Sequence, residues 1–179
     1  MFEQVKNFFR KRKIRKLSRA VPTGLMPLSE ISTVNFVIDV EENEYDVLKE
    51  EILAWGKAVD KRVGIYYFDF RKLNANELLL TSIDTTIARK ELNWFGMPSY
   101  EKVAALIEQE SDLFVSLIDN GDFPIDFVSK CAAARFKIGR KPYKGHCFDL
   151  IISSKQTDAV RGGGRDVFAG IVEFLGKIE

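Results

Sequence analysis

The chain has 179 residues, of which 46% are hydrophobic and 30% charged, with two cysteines and a formal net charge of +1. That size can bury one core without disulfides or metals, and the composition excludes both a disordered chain and a cysteine-stapled secreted one. No run approaches the roughly 18 apolar residues of a membrane span, and the first ten residues lack the apolar centre of a signal peptide, so a cytoplasmic location is expected.

The near-neutral total hides an asymmetry. Residues 1–20 hold eight Lys or Arg against Glu3, a net of +7, and the remainder carries −6. This stretch has helix-forming composition. Phe2, Val5, Phe9 and Leu17 fall roughly along one face, and Arg12 and Lys13 interrupt that stripe. Val21 to Pro27 breaks the helix and reads as a linker. Thr33–Val40 is nearly all apolar, as suits a strand buried on both faces. A helix follows, with Asn43 as N-cap, Asp46 in its first turn, and Tyr45, Leu48, Ile52 and Trp55 at helical spacing. Arg62–Phe70 is the next strand, and strand, helix, strand in that order implies a right-handed parallel crossover.

Residues 71–98 give a weaker pattern, with Leu78-Leu79-Leu80-Thr81 as a candidate short strand. Ser99 caps a helix that turns Val103, Leu106 and Ile107 inward. Asp112–Asp119 is a buried strand, Asn120-Gly121 a turn, and Ile125–Ala133 a helix. Arg135–Ile138 alternates polar and apolar, and Phe148–Ile152 is a further strand. Their connection is shorter than a parallel crossover requires, so the pair is expected to form an antiparallel hairpin with Arg140, Lys141 and Lys144 exposed at its tip. Asp166–Lys177 closes the chain as a helix.

Leu92-Asn93-Trp94-Phe95-Gly96-x-Pro98, the strand ending Leu117-Ile118-Asp119, Ala134–Gly139 and Phe148–Ile152 carry a resemblance. Together they make the chain similar to an uncharacterised bacterial family known only as a domain of unknown function, with a basic N-terminal helix on an α/β body. The resemblance runs over most of the chain. It implies the fold class and brings no activity with it.

Several residues are candidates for chemistry. His146 abuts Cys147, but neighbours on a strand point to opposite faces, which disfavours a nucleophile–base pair. Cys131, Cys147 and His146 do not complete a zinc site. Asp39, Asp69 and Asp119 end apolar strands, where open α/β sheets bind ligands, and converging carboxylates there would hold Mg²⁺ and a phosphate. The competing reading is that each Asp caps a turn as its strand exits. Gly162, Gly163, Gly164 and Arg165 precede the last helix, whose N-terminus attracts anions. The spacing matches no phosphate-loop fingerprint, and a flexible capped loop is the plainer reading. Asn93–Gly96 either exposes aromatics to a partner or pins a loop to the core.

The basic helix is the sharpest feature. Arg10, Lys11, Arg12, Lys13, Arg15 and Lys16, with Arg140 and Lys141, are the candidate polyanion contacts. RNA, an anionic membrane surface and a second copy of the chain, docked through the same helix, are the partners weighed. The expected architecture is a mixed, mainly parallel α/β sheet flanked by helices, a Rossmann-like three-layer sandwich with the C-terminal antiparallel hairpin. Its segments are a basic helix at 1–20, a linker at 21–31 and an α/β domain at 32–179. The expected function is a non-catalytic binding or accessory protein whose basic arm contacts RNA or another polyanion, with no cofactor and no metal. The alternative is a nucleotide- or phosphate-binding domain, or a Mg-dependent phosphoryl enzyme, using the strand-end aspartates.

Overall fold

Apolar runs set the centre of the sheet. In the computed structural model, which describes residues 2–72, 81–154 and 163–178, the elements are α1 (Phe2–Leu17), β1 (Thr33–Asp39), α2 (Tyr45–Ala58), β2 (Arg62–Asp69), β3 (Thr86–Ala88), α3 (Tyr100–Glu108), β4 (Ser111–Ser116), α4 (Phe123–Cys131), β5 (Ala134–Gly139), β6 (Leu150–Ile151) and α5 (Gly164–Leu175). The strands form one six-stranded sheet in the order β3-β2-β1-β4-β5-β6. Every pairing is parallel. The chain builds outward from β1 in one direction, then returns to β4 and builds the other way. This is the doubly wound order, with its switch point between β1 and β4.

Side-chain alternation divides the core into two layers. Phe36, Ile38, Tyr67, Leu113 and Val115 pack with Leu48 and Ile52 of α2 and Val167, Phe168 and Ile171 of α5. Phe36, Trp55 and Phe168 meet edge to face at 5.8–6.1 Å between ring centres, a favoured aromatic geometry. On the other face Val37, Phe68, Phe114 and Ile118 pack with Val103 and Leu106 of α3 and Phe127 and Val128 of α4. α1 lies outside this layer against α4 and has no buried residue. No described helix is long and apolar enough to cross a membrane.

The expected antiparallel hairpin is overturned: β5 and β6 pair in parallel, with Ile138 opposite Leu150 and Gly139 opposite Ile151. A full parallel crossover needs a dozen or more residues because the chain must travel the length of the strand. β6 is two residues long and pairs only with the end of β5, so the connection has little distance to recover. Tyr143 is buried within it, and Phe148 packs on Tyr143 at 5.5 Å and over Gly139. These two rings do the covering that a crossover helix would otherwise do.

Smaller differences have local causes. Glu44, in the left-handed region at φ 61°, occupies the N-cap position of α2 in place of Asn43. Pro124, in the first turn, lets α4 start at Phe123, earlier than its apolar spacing suggests. β3 was not anticipated, because three residues are too few to display a period. The candidate strand at 78–81 lies, except for Thr81, outside the described residues.

Candidate functional site

The carboxyl ends of the strands gather Asp39, Asp69 and Asp119 at one edge, as parallel pairing requires. They do not share a pocket face. Asp39 sits opposite Phe68, so alternation sends the Asp39 and Asp69 side chains to opposite sides of the sheet. Asp69 is buried and holds Arg71 through two side-chain bonds of 2.8 and 2.6 Å, which keep its carboxyl below the usual range. Asp39 accepts from the Glu41 N–H at 2.8 Å and from Asn120 at 3.1 Å across the switch point. Burial, aided by the charges of Glu41 and Glu42, raises its pKa. Among the described residues no group of three or more His, Cys, Asp or Glu could hold a metal ion.

Glu42, two residues beyond the predicted strand, is the side chain that fills the crevice. Its carboxylate accepts the Gly164 N–H at 2.6 Å and the Arg140 Nη1 at 2.8 and 2.9 Å. The anion position at the start of α5 is thus held by the protein's own carboxylate. Arg140 is 8% exposed and also donates to the Leu117 carbonyl at 3.0 Å, with Asp119 at 3.9 Å. The basic-tip reading of Arg140 therefore fails with the hairpin, because a guanidinium enclosed between two carboxylates is not displayed to solvent. Lys141 remains exposed and donates to the Asp119 carbonyl. Arg165 pairs with Glu51 and Glu44 on α2 and its preceding turn. Gly163 starts α5 as its N-cap, and Gly162 lies outside the described residues.

His146 is exposed in a left-handed turn at φ 50°. Burial pushes the thiols of Cys131 and Cys147 up to about 11, which leaves both protonated near neutrality and poorly nucleophilic.

The basic helix makes the other site. α1 turns a polar face to the body. Lys6 lies over the Trp94 ring at 4.9 Å, Arg10 over Phe123 at 3.9 Å, and the Arg10 Nε donates to the Phe95 carbonyl at 2.7 Å. Ile14 and Leu17 add apolar contact with the α3–α4 layer. Phe9 and Phe2 add ring contacts, with Phe95 at 5.2 Å and Trp94 at 6.2 Å, while Phe2, Val5 and Phe9 stay 74%, 44% and 42% exposed. Lys11, Arg12, Arg15 and Lys16 are left exposed, and none of the four has an ion-pair partner among the described residues.

Where the end of α1 and the following linker meet α4 and β5, they enclose a groove of about 600 Å³. Lys11, Arg15, Arg19, Lys130 and Lys137 line it, against the single carboxylate of Asp149. Burial lowers the pKa of Lys137, whose Nζ donates to the Ser129 carbonyl at 2.9 Å. Ala132 and Ala134 place the groove at the start of β5, away from the strand-end carboxylates. Arg19 counts with the basic arm, whereas Lys130 and Lys137 escaped the sequence reading because they belong to separate elements. The polar position of Lys137 on a half-exposed strand was the only signal.

Against the N-terminal half of α1, where Lys6 and Arg10 reach Trp94 and Phe95, Asn93 builds a tight turn. Its Oδ1 accepts the Phe95 and Met97 N–H groups at 2.9 and 3.0 Å, and Gly96 takes φ 76°, which favours glycine. Leu92 and Pro98 close the turn by an antiparallel bridge. Both readings of the Trp-Phe pair hold in part: Phe95 packs against the core layer, while Trp94 stays 59% exposed.

A family model matches residues 6–161, and the chain belongs to that family, a family of unknown function (DUF6913). No curated protein and no solved structure matches the chain.

Proposed function

We propose that this member of the family is a non-catalytic binding protein whose basic arm, docked on the body, holds RNA or another polyanion along α1 and into the adjoining groove. The observation that carries the reading is the groove lining, where Lys11, Arg15, Arg19 and Lys137 face the carboxylate of Asp149 beside Lys130, which is paired with Asp126 at 2.7 Å. Lys11 and Arg15 from α1, Arg19 just beyond it, Lys130 from α4 and Lys137 from β5 converge there. Cations so arranged release condensed counterions when they neutralise successive phosphates, and this drives association. The raised thiol pKa values of Cys131 and Cys147 are consistent with binding rather than catalysis by those thiols.

Retention on heparin and on RNA, measured against salt, tests this. The intact chain should be retained at low salt and elute steeply as salt rises. Lys11→Glu with Arg15→Glu should elute at markedly lower salt, with the log–log slope reduced by about 1 for each lost phosphate contact. An unchanged elution profile would remove the basis of the reading.

The doubly wound strand order favours a second reading, a nucleotide- or phosphate-binding domain at the β1/β4 switch point, because open α/β sheets take ligands there. A ligand phosphate at α5 would have to displace Glu42 from the Gly164 N–H. Calorimetry with ADP and Mg²⁺ tests it, and Glu42→Gln should then strengthen binding.

A further inference from the structure

We infer that the polyanion is a single-stranded nucleic acid, its unpaired bases stacking on Phe8, Phe2 and Trp94 while its phosphates follow the cations of α1. This rests on the polyanion reading and names its substrate class. Phe2, Phe8 and Trp94 are 74%, 62% and 59% exposed, although burying each ring would be favourable. Phe2 meets Trp94 edge to face at 6.2 Å, so ring surfaces from the arm and from the Asn93 turn are presented together. The polyanion charge is the complement of the same helix: Arg12 and Lys16 are exposed there, and Lys11 and Arg15 lead to the groove.

The placement of the rings decides the partner. At 3.6 residues per turn Phe2 and Phe8 stand about 120° apart around the axis, and the sector between them holds the exposed Val5 and Phe9 in the first two turns, then Arg12 and Lys16 in the next two. A helix lying in a bilayer needs an apolar stripe along its length, and here the stripe stops after Phe9, so seating the helix flat would drag Arg12 and Lys16 in with it. Rings followed by cations on one face suit a single strand, whose every base has a free π-face and every link a phosphate. In a duplex those faces are stacked internally, so the rings would have nothing to bind.

The experiment uses the full chain with four probes: a fluorescent uridylate 12-mer, a 12-base-pair RNA duplex, heparin, and vesicles of phosphatidylcholine with phosphatidylglycerol. The 12-mer is expected to bind at least tenfold tighter than the duplex. Phe8→Ala and Trp94→Ala should each weaken the 12-mer by roughly tenfold, as loss of one stacked base does, and leave heparin retention unchanged. Phe8→Tyr should keep full affinity. Phe8 contacts only the Phe9 ring among the aromatic pairs of the described residues, so its truncation tests stacking even if Trp94→Ala loosens the arm. Heparin retention with equal affinity for strand and duplex, or with no effect of Phe8→Ala on the 12-mer, overturns the stacking inference and leaves the polyanion reading standing. Loss of vesicle binding in Phe8→Ala without strand preference makes a membrane the partner and overturns the inference. No retention on heparin or RNA overturns both.

Discussion

Glu42 joins three parts of the chain at one point: its own turn after β1, Arg140 after β5 and the first turn of α5. Removing it takes from a guanidinium that is 8% exposed its close carboxylate, the 2.8 Å partner, since Asp119 stands at 3.9 Å. Glu42→Ala should therefore destabilise the fold by about 3–5 kcal/mol, the usual consequence of stripping one partner from a buried pair, and Glu42→Gln by less. Urea unfolding of the variants measures this, and a loss under about 0.5 kcal/mol would make the bridge incidental. Asp39 behaves in the opposite sense. Its folded pKa is raised, chiefly by burial, so the native state binds the proton more tightly than the unfolded chain does. Native stability then falls as pH rises through the unfolded value of about 3.9, and the penalty persists at neutrality. Asp39→Asn should be more stable than the native chain at pH 7, with the advantage shrinking as pH approaches 3. A gain that grows on acidification would contradict the assignment.

At the scale of elements, the loop from β5 to β6 and the arm α1 are opposites. The loop is held by the close seat of Phe148 on Gly139, where a built Cβ would lie 2.4 Å from the ring. Gly139→Ala should cost about 1–3 kcal/mol from overpacking, and much of it should return when Phe148 is also shortened to Leu. Additive losses in that double-mutant cycle would mean that the ring is not what excludes the methyl. The arm has no buried residue and is attached by two cation–ring contacts, the ring contacts of Phe2 with Trp94 and Phe9 with Phe95, hydrogen bonds from Arg10, Ser18 and Arg19 to body carbonyls, and the edges of Ile14 and Leu17. Contacts of that kind are individually worth about 0.5–2 kcal/mol. α1 amides should exchange with solvent hydrogen far faster than those of α3, and ligand in the groove should slow them, because the groove exists only with the arm docked. Equal protection of α1 and α3 without ligand would argue against a weakly docked arm.

Across the whole molecule the charge is divided by the fold. The basic groove lies at the start of β5, and the carboxylates Asp39, Asp69 and Asp119 lie at the ends of their strands. A near-neutral chain is thereby a strongly polarised one, and such a field steers a polyanion towards the basic side and away from the switch-point crevice. The segmentation proposed from sequence, an arm at 1–20 and a body from 32, fits this division of labour. It predicts that the charge-reversed arm would lose polyanion binding without loss of body stability.

The sequence by itself determined the local elements and the parallel character of the centre. Continuous apolar runs such as Thr33–Asp39 must be covered on both faces, and a helix between two of them forces a parallel crossover. It also determined that the basic stretch at 1–20 would lie outside the core, because its eight cations cannot enter one unpaired. Only the tertiary structure decided that β6 joins in parallel. That depended on how far the chain had to travel and on Tyr143 and Phe148 finding cover, and neither is a local property. It alone decided that Arg140 is buried, since its partner Glu42 lies 98 residues away. The face that α1 turns inward was likewise beyond a hydrophobic pattern, because Lys6 and Arg10 meet the rings of Trp94 and Phe123 instead of a greasy surface. The groove was invisible in the sequence for the same reason: its cations come from a helix and the stretch just beyond it, a second helix and a strand, and only folding sets them side by side.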